Sequence, residues 1–218
     1  MKDSAATPED DIRHRYQAEL RLHAIELLRL GHARLDTASF VSSEEEDITG
    51  RLKEEIEQVI EIAPDSPSWV VHYTVYDEEK PSGTGILGKS RPRIDITIKR
   101  SWKRREEHPR FRFEAKRLKA DNRISAYFGK EGIGCFLRGT YPLSHGEAAM
   151  IGYVQAGSLS EWQDRLGAYV SRKPARLRAI KGRTWADYPC RLPHSSVSEH
   201  RSKDWPRLVL IHLLLRFC

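Results

Sequence analysis

Between Asp11 and Leu35 the apolar residues Ile12, Tyr16, Leu20, Leu27 and Leu28 recur at helical spacing, and Gly31 marks the expected end. The following run, "SFVSSEEEDITGRLKEEIEQVIEIAP", offers serines for an N-cap. It sets Ile48, Leu52, Ile56, Val59 and Ile60 on one helical face, with Pro64 as the stop. At "SWVVHYTVYDEE" the period changes to two, which predicts a strand ending in the turn-rich "EEKPSGTGILG". A second strand is expected over "RPRIDITIKRS", where Ile94, Ile96 and Ile98 alternate with Asp95, Thr97 and Lys99. A third is expected over "PRFRFEAKRLK", with Phe111, Phe113 and Ala115 opposite Arg112, Glu114 and Lys116. "NRISAYFGKEGIGCFLRG" predicts a helix interrupted by glycines, "AAMIGYVQAG" a short buried strand and "SLSEWQDRLGAYVSRK" a capped helix. Past Pro174 the chain reads as irregular and basic until "PRLVLIHLLLRF", a closing strand.

This order gives a single α/β domain with appendages: a tail and helix over residues 1–40, a core over 41–170, and a basic extension over 171–218. The length of 218 residues and 39% hydrophobic content suffice for a core of that size. No segment approaches the roughly 18 to 20 apolar residues that span a bilayer, so no membrane partner is expected. The acidic, polar N-terminus does not read as a secretory signal. Three scattered cysteines, Cys135, Cys190 and Cys218, lack metal-ligand spacing and fit a reducing cytoplasm.

Charge sharpens the picture. Residues 1–65 carry 16 acidic and 8 basic side chains, whereas residues 89–123 carry 14 basic and 5 acidic. A basic stripe of that density suits a polyanion, whose condensed counterions are released on contact; a soluble sheet edge would use the same residues. Within and around the stripe the candidate nucleic-acid contacts are Lys103, Arg104, Arg105, Arg117, Lys119, Arg123 and Tyr127, with Arg201 in the later "SSVSEHRSKDW". Tyr127 has a second reading, as packing between helix and sheet. The glycines of "SGTGILGKS" lead into a strand and not a helix, which argues against a nucleotide cradle.

Candidate chemistry lies in "FRFEAKRLK", residues 111–119. Residues two apart on a strand point the same way, so Glu114 and Lys116 project together. Asp95, alternating against three isoleucines, projects from the neighbouring strand. Two such carboxylates suit Mg²⁺, which keeps waters and takes substrate phosphate, and a lysine beside them can offset charge developing on a phosphate. On the acidic helix, a rotation of about 100° per residue puts Glu45 near the middle of the buried face, Glu46 roughly opposite and Glu44 at its margin. The plainer readings are a solvated salt bridge for Glu114 and Lys116, and a frayed first turn that favours acids for Glu45. A Glu-x-Lys triplet is weak by itself. The chain has two, and only the one at 114–116 lies in an alternating strand one strand after an Asp.

With those residues, "RPRIDITI…FRFEAKRL" resembles the PD-(D/E)xK, or restriction-endonuclease-like, nuclease superfamily. The resemblance covers about half the chain, residues 43–155, and departs from the pattern where Ile94 stands in place of Pro. It implies an αβββαβ core with a mixed central sheet flanked by helices. It also implies Asp95 and Glu114 as ligands of Mg²⁺ or Mn²⁺, Lys116 as the catalytic lysine, and Glu45, with Glu46 as the alternative, as the helical acid supporting catalysis or a metal. The expected activity is hydrolysis of nucleic-acid phosphodiesters, DNA first, by a homodimer or within a larger phage-defence or repair complex. The rivals are a catalytically inactive nucleic-acid-binding or assembly subunit of the same fold, and a module that self-associates through its acidic and basic halves. A pure binding face needs no carboxylates aimed at phosphate, which disfavours both.

Overall fold

A computed structural model describes residues 8–61, 65–79, 93–100, 109–119, 124–143 and 145–218. Two helices come first, α1 (Pro8–His32) and α2 (Glu45–Glu61). The strands β1 (Tyr73–Glu79), β2 (Ile94–Arg100) and β3 (Arg110–Leu118) follow, then two short helices, α3 (Ile124–Tyr127) and α4 (Ile133–Leu137). The chain continues through β4 (Glu147–Val154), α5 (Leu159–Arg172), β5 (Ala186–Asp187), β6 (Ser196–His200) and β7 (Leu208–Arg216).

Among the described residues, seven strands form one mixed sheet in the order β1-β2-β3-β4-β7-β6-β5. The first three make an antiparallel meander, β3, β4 and β7 run parallel, and β6 and β5 return antiparallel. Parallel neighbours need crossovers, and here α3 with α4, and then α5, supply them. The interior strands are buried on both faces, as a sheet covered by helices requires. On one face α1 and α2 pack through Leu27, Leu28, Leu52 and Ile56 against Ile96, Phe111, Phe113 and Ile211. On the other, Tyr127, Phe136, Trp162 and Leu166 from α3, α4 and α5 meet Leu118, Met150, Leu210 and Leu214. The result is a three-layer α/β architecture.

Local details differ from the periodicity reading, each for a physical reason. Gly31 sits inside the last turn of α1, where a Cβ would stand 2.6 Å from Ile56 Cγ1; it lets α1 and α2 approach closely and does not end the helix. Ile12 is 65% exposed and lies off the buried stripe. The apolar "SWVVH" forms a short 3₁₀ turn, so β1 begins only at Tyr73. The broken helix over residues 122–139 resolves into α3 and α4, with Gly132 against the Tyr127 carbonyl where no side chain fits. Helix α5 carries the expected cap, a reciprocal box between Ser158 and Glu161. Pro64 and the glycine-rich run 83–88 lie outside the described residues.

The segment after Pro174 is more ordered than its sequence suggests. β6 turns Ser196, Ser198 and His200 inward, all fully buried. His200 Nδ1 lies 2.8 Å from the Leu177 carbonyl, so it is the donor nitrogen. Its Nε2 then accepts from Ser198 Oγ at 2.6 Å, Ser198 accepts from His212 Nε2 at 2.7 Å, and His212 Nδ1 accepts from Tyr127 Oη at 3.0 Å. Every proton in the chain has one place to go. Both imidazoles stay neutral, since burial lowers their pKa. Among the described residues no helix is long and apolar enough to cross a membrane.

Candidate active site

β2 and β3 pair as far as Ile96 opposite Phe113; the same register carried one residue outward sets Asp95 against Glu114, and the two carboxylates are close enough for their charges to interact. Directly opposed residues of an antiparallel pair share a face. No strand-to-strand bond is made at that rung. Asp95 Oδ2 instead accepts the Ala115 N–H at 2.7 Å, filling the place of a ladder carbonyl. The alternation of isoleucines and phenylalanines is what fixes this register, because a slip of one residue would turn Glu114 into the apolar layer.

The face is largely buried. The Glu114 side chain is 4% exposed and that of Lys116 13%. Lys116 Nζ lies 3.1 Å from Glu114 Oε1 and 2.6 Å from Glu45 Oε1, so the ammonium is inserted between a strand carboxylate and a helix carboxylate. The expectation of an exposed salt bridge therefore fails on burial; the pair exists, but inside the molecule. Glu45 is the first residue of α2. Its second oxygen accepts the Arg117 N–H at 3.1 Å, which ties the helix start to the end of β3. Glu44 binds the Arg117 guanidinium at 2.5 Å, and the same guanidinium donates to the Ser43 carbonyl.

Burial dominates the titration of these groups. It raises Glu114 to about 8, with the Asp95 charge adding to it and Lys116 opposing. Asp95 is raised to about 6, again by burial first, against Lys116 and the Ala115 N–H. Burial pulls Lys116 down, but Glu114, Asp95 and Glu45 together outweigh it and hold the ammonium above its ordinary range. Lys116 is thus a fixed cation near neutral pH.

Two clefts meet at Glu45 and Glu46. One, of about 350 Å³, is lined by Glu44, Glu45, Lys116, Arg117, Ser125 and Lys130, among others. The other, of about 90 Å³, reaches Asp95, Asp77, Thr49 and Gly50. Among the described residues, no three His, Cys, Asp or Glu side chains converge as a ready metal cage. The residues still fit Mg²⁺ in the form that takes one or two carboxylates and retains waters. Glu114 Oε2 is buried and has no hydrogen-bond partner among the described residues, and such an oxygen is costly unless a proton or a cation meets it. Asp95 and Glu114 would be the ligands. Both oxygens of Glu45 are already taken, so in this arrangement it orients Lys116.

The expected nucleic-acid contacts fare differently. Lys103, Arg104, Arg105 and Arg123 lie outside the described residues. Arg117 is 11% exposed and engaged with α2, and Lys119 follows it just past β3, half-buried. Tyr127 is corrected: it is fully buried with its hydroxyl on His212, so it packs α3 on the sheet and offers no stacking surface. Arg201 is exposed, on the loop after β6.

Sequence reasoning missed Gln155 and Tyr141. Gln155, just past β4, donates through Nε2 to the carbonyls of Phe40 at 2.7 Å and Ser43 at 2.9 Å, pinning the loop that delivers Glu45. Its signal was a lone amide ending an apolar strand in "YVQAG". Tyr141 donates to the Arg93 carbonyl at 2.5 Å and stands beside Glu114, with no pattern in the sequence to announce it. Comparison with known proteins returns no matching family model, no matching curated protein and no matching solved structure.

Proposed function

We propose that the chain is a metal-dependent nuclease with a restriction-endonuclease-like core, hydrolysing phosphodiester bonds in DNA. One observation carries the reading: the Lys116 ammonium sits between Glu114 and Glu45 at the wall of an open cleft, on the face where Asp95 opposes Glu114. The order of elements supports it. Helix α2, the meander β1-β2-β3, the helical crossover α3–α4 and the parallel strand β4 follow the succession that the resemblance implies.

In this reading Asp95 and Glu114 hold Mg²⁺ or Mn²⁺, which supplies positive charge against the phosphate when bound. Lys116 does not act as a base, because its pKa is raised and it keeps its proton. An ammonium has three donors; two meet Glu114 and Glu45, leaving one for a water or a phosphate oxygen in the cleft. Glu45 and Gln155 position that donor and do not touch the reacting atoms. Donors fixed before the reaction cost no reorganisation as charge develops on the phosphate.

The test offers supercoiled plasmid, linear duplex, single-stranded DNA and RNA to the purified protein in Mg²⁺, Mn²⁺ or EDTA. The expected result is divalent-dependent cleavage of DNA that Asp95→Ala abolishes. Cleavage that persists in EDTA, or that survives Asp95→Ala, overturns the reading. Binding without cleavage of any substrate returns the chain to the non-catalytic alternative.

A further inference from the structure

We infer that a second surface, leading away from the site cleft, is a track for the phosphate backbone of duplex DNA. It is formed by Lys130, Arg138, Arg176, Arg178, Lys181 and Arg201. The inference rests on the nuclease reading for its starting point, the cleft at Lys116.

Three depressions form a continuous path. The site cleft shares Gly129 and Lys130 with a groove of about 210 Å³ lined also by Arg138, Arg176 and Arg178. That groove shares Arg178 with another of about 430 Å³, lined by Lys181 and Arg201. Among the described residues, neither groove has an acidic side chain in its lining. All six cations are exposed, and none forms an ion pair with a described residue. Several basic side chains elsewhere are neutralised, Arg21 by Glu147, Arg34 and Arg51 by Glu55, Arg183 and Arg207 by Glu199. Lys130 shares the site cleft with Glu131 and the glutamates of α2, but Arg138, Arg176, Arg178, Lys181 and Arg201 line grooves with no acid among their described residues; like charges so gathered repel one another, and a polyanion relieves that repulsion.

The cations are also held in place. Arg138 donates to the Lys130 carbonyl at 2.6 Å, and Arg178 to the Leu137 carbonyl at 3.2 Å, so backbone oxygens orient both guanidiniums without cancelling their charge. Arg178 takes φ 51°, a left-handed conformation that is uncommon outside glycine. Its loop is fixed from below, because Leu177 is buried, its carbonyl accepts from His200, and the Arg178 carbonyl accepts the Arg201 N–H at 2.8 Å. Among the described residues the grooves offer no platform for bases: Phe128, the one aromatic side chain in their lining, is 4% exposed and stacks on Tyr169. Single-strand binders rely on exposed aromatics; a track of cations without them fits a duplex backbone.

The experiment measures anisotropy of a labelled duplex in EDTA, with the matched single strand and anionic vesicles as further arms. Arg176→Gln/Arg178→Gln/Lys181→Gln is compared with wild type and with Arg51→Ala/Lys53→Ala on α2. The triple variant is expected to bind duplex at least about tenfold more weakly, with a salt slope shallower by about 2 to 3, roughly one per lost phosphate contact. The α2 control should bind as wild type. Should the triple variant fail to fold by circular dichroism, Lys130→Gln/Arg201→Gln is expected to lose about 2 from the slope. Wild-type affinity and slope in the folded variants overturn the track, and tighter binding of the single strand or of vesicles overturns the duplex assignment. Because no metal is present, these outcomes are separate from catalysis: duplex binding here, together with no cleavage in Mg²⁺ or Mn²⁺, sinks the nuclease reading alone.

Discussion

Glu114 faces Asp95 across the parting of two strands with little water around either, and this sets how both titrate. A carboxyl whose folded pKa is raised favours folding while it is protonated and loses that advantage as pH rises. For Glu114 the loss spans the ordinary carboxylate range up to about 8. Glu114→Gln mimics the protonated form. In metal-free melts, wild type should therefore lose stability relative to Glu114→Gln as pH rises from about 4.5 and level off above about 8. The gap should reach a few degrees, since about 1 kcal/mol moves Tm by roughly 2 to 4 °C in a chain of this size. A difference that does not change with pH contradicts the burial argument. Alternation alone made Asp95, Glu114 and Lys116 legible, because period two fixes the face. It could not show that the face is covered. Tyr141, which stands beside Glu114, and Gln155, which pins the loop delivering Glu45, come from distant segments with no period to link them to β3.

At the scale of elements, the strand hardest to read was β6. Its inward residues are Ser196, Ser198 and His200, with Val197 and Glu199 less buried, so its polarity inverts the usual pattern. Such a strand is tolerable only if its inward polar groups are satisfied, and Ser198, His200, His212 and Tyr127 satisfy one another in series. Gln163 Nε2 donates to Ser196 Oγ at 3.0 Å and completes the set. These partners lie on α3, α5 and β7, which is why local sequence did not reveal the strand. Tyr127→Phe removes the last donor and leaves His212 Nδ1 buried without one. The expected cost is about 1 to 3 kcal/mol, read from urea unfolding, with α3 loosened at the cleft wall. A cost near zero would mean that the order of donors along the chain is wrong.

For the whole molecule, the C-terminal segment is structurally central. β7 lies between β4 and β6, and Leu210, Ile211, Leu213 and Leu214 enter both apolar layers. The apolar run at 208–215 announced a strand, but its place inside the sheet depends on partners more than fifty residues away in sequence. That placement makes the sheet one rigid support for the carboxylates, Lys116 and the basic grooves. The central claim is that Lys116 acts in the reaction and is not merely a buried countercharge. The direct measurement is single-turnover cleavage of a labelled duplex by Lys116→Met, which keeps most of the aliphatic stem, alongside duplex binding in Ca²⁺. The account predicts a rate about a hundredfold or more below wild type, as for loss of one preorganised donor, with binding little changed. A rate close to wild type would contradict it and leave Lys116 with a structural role alone.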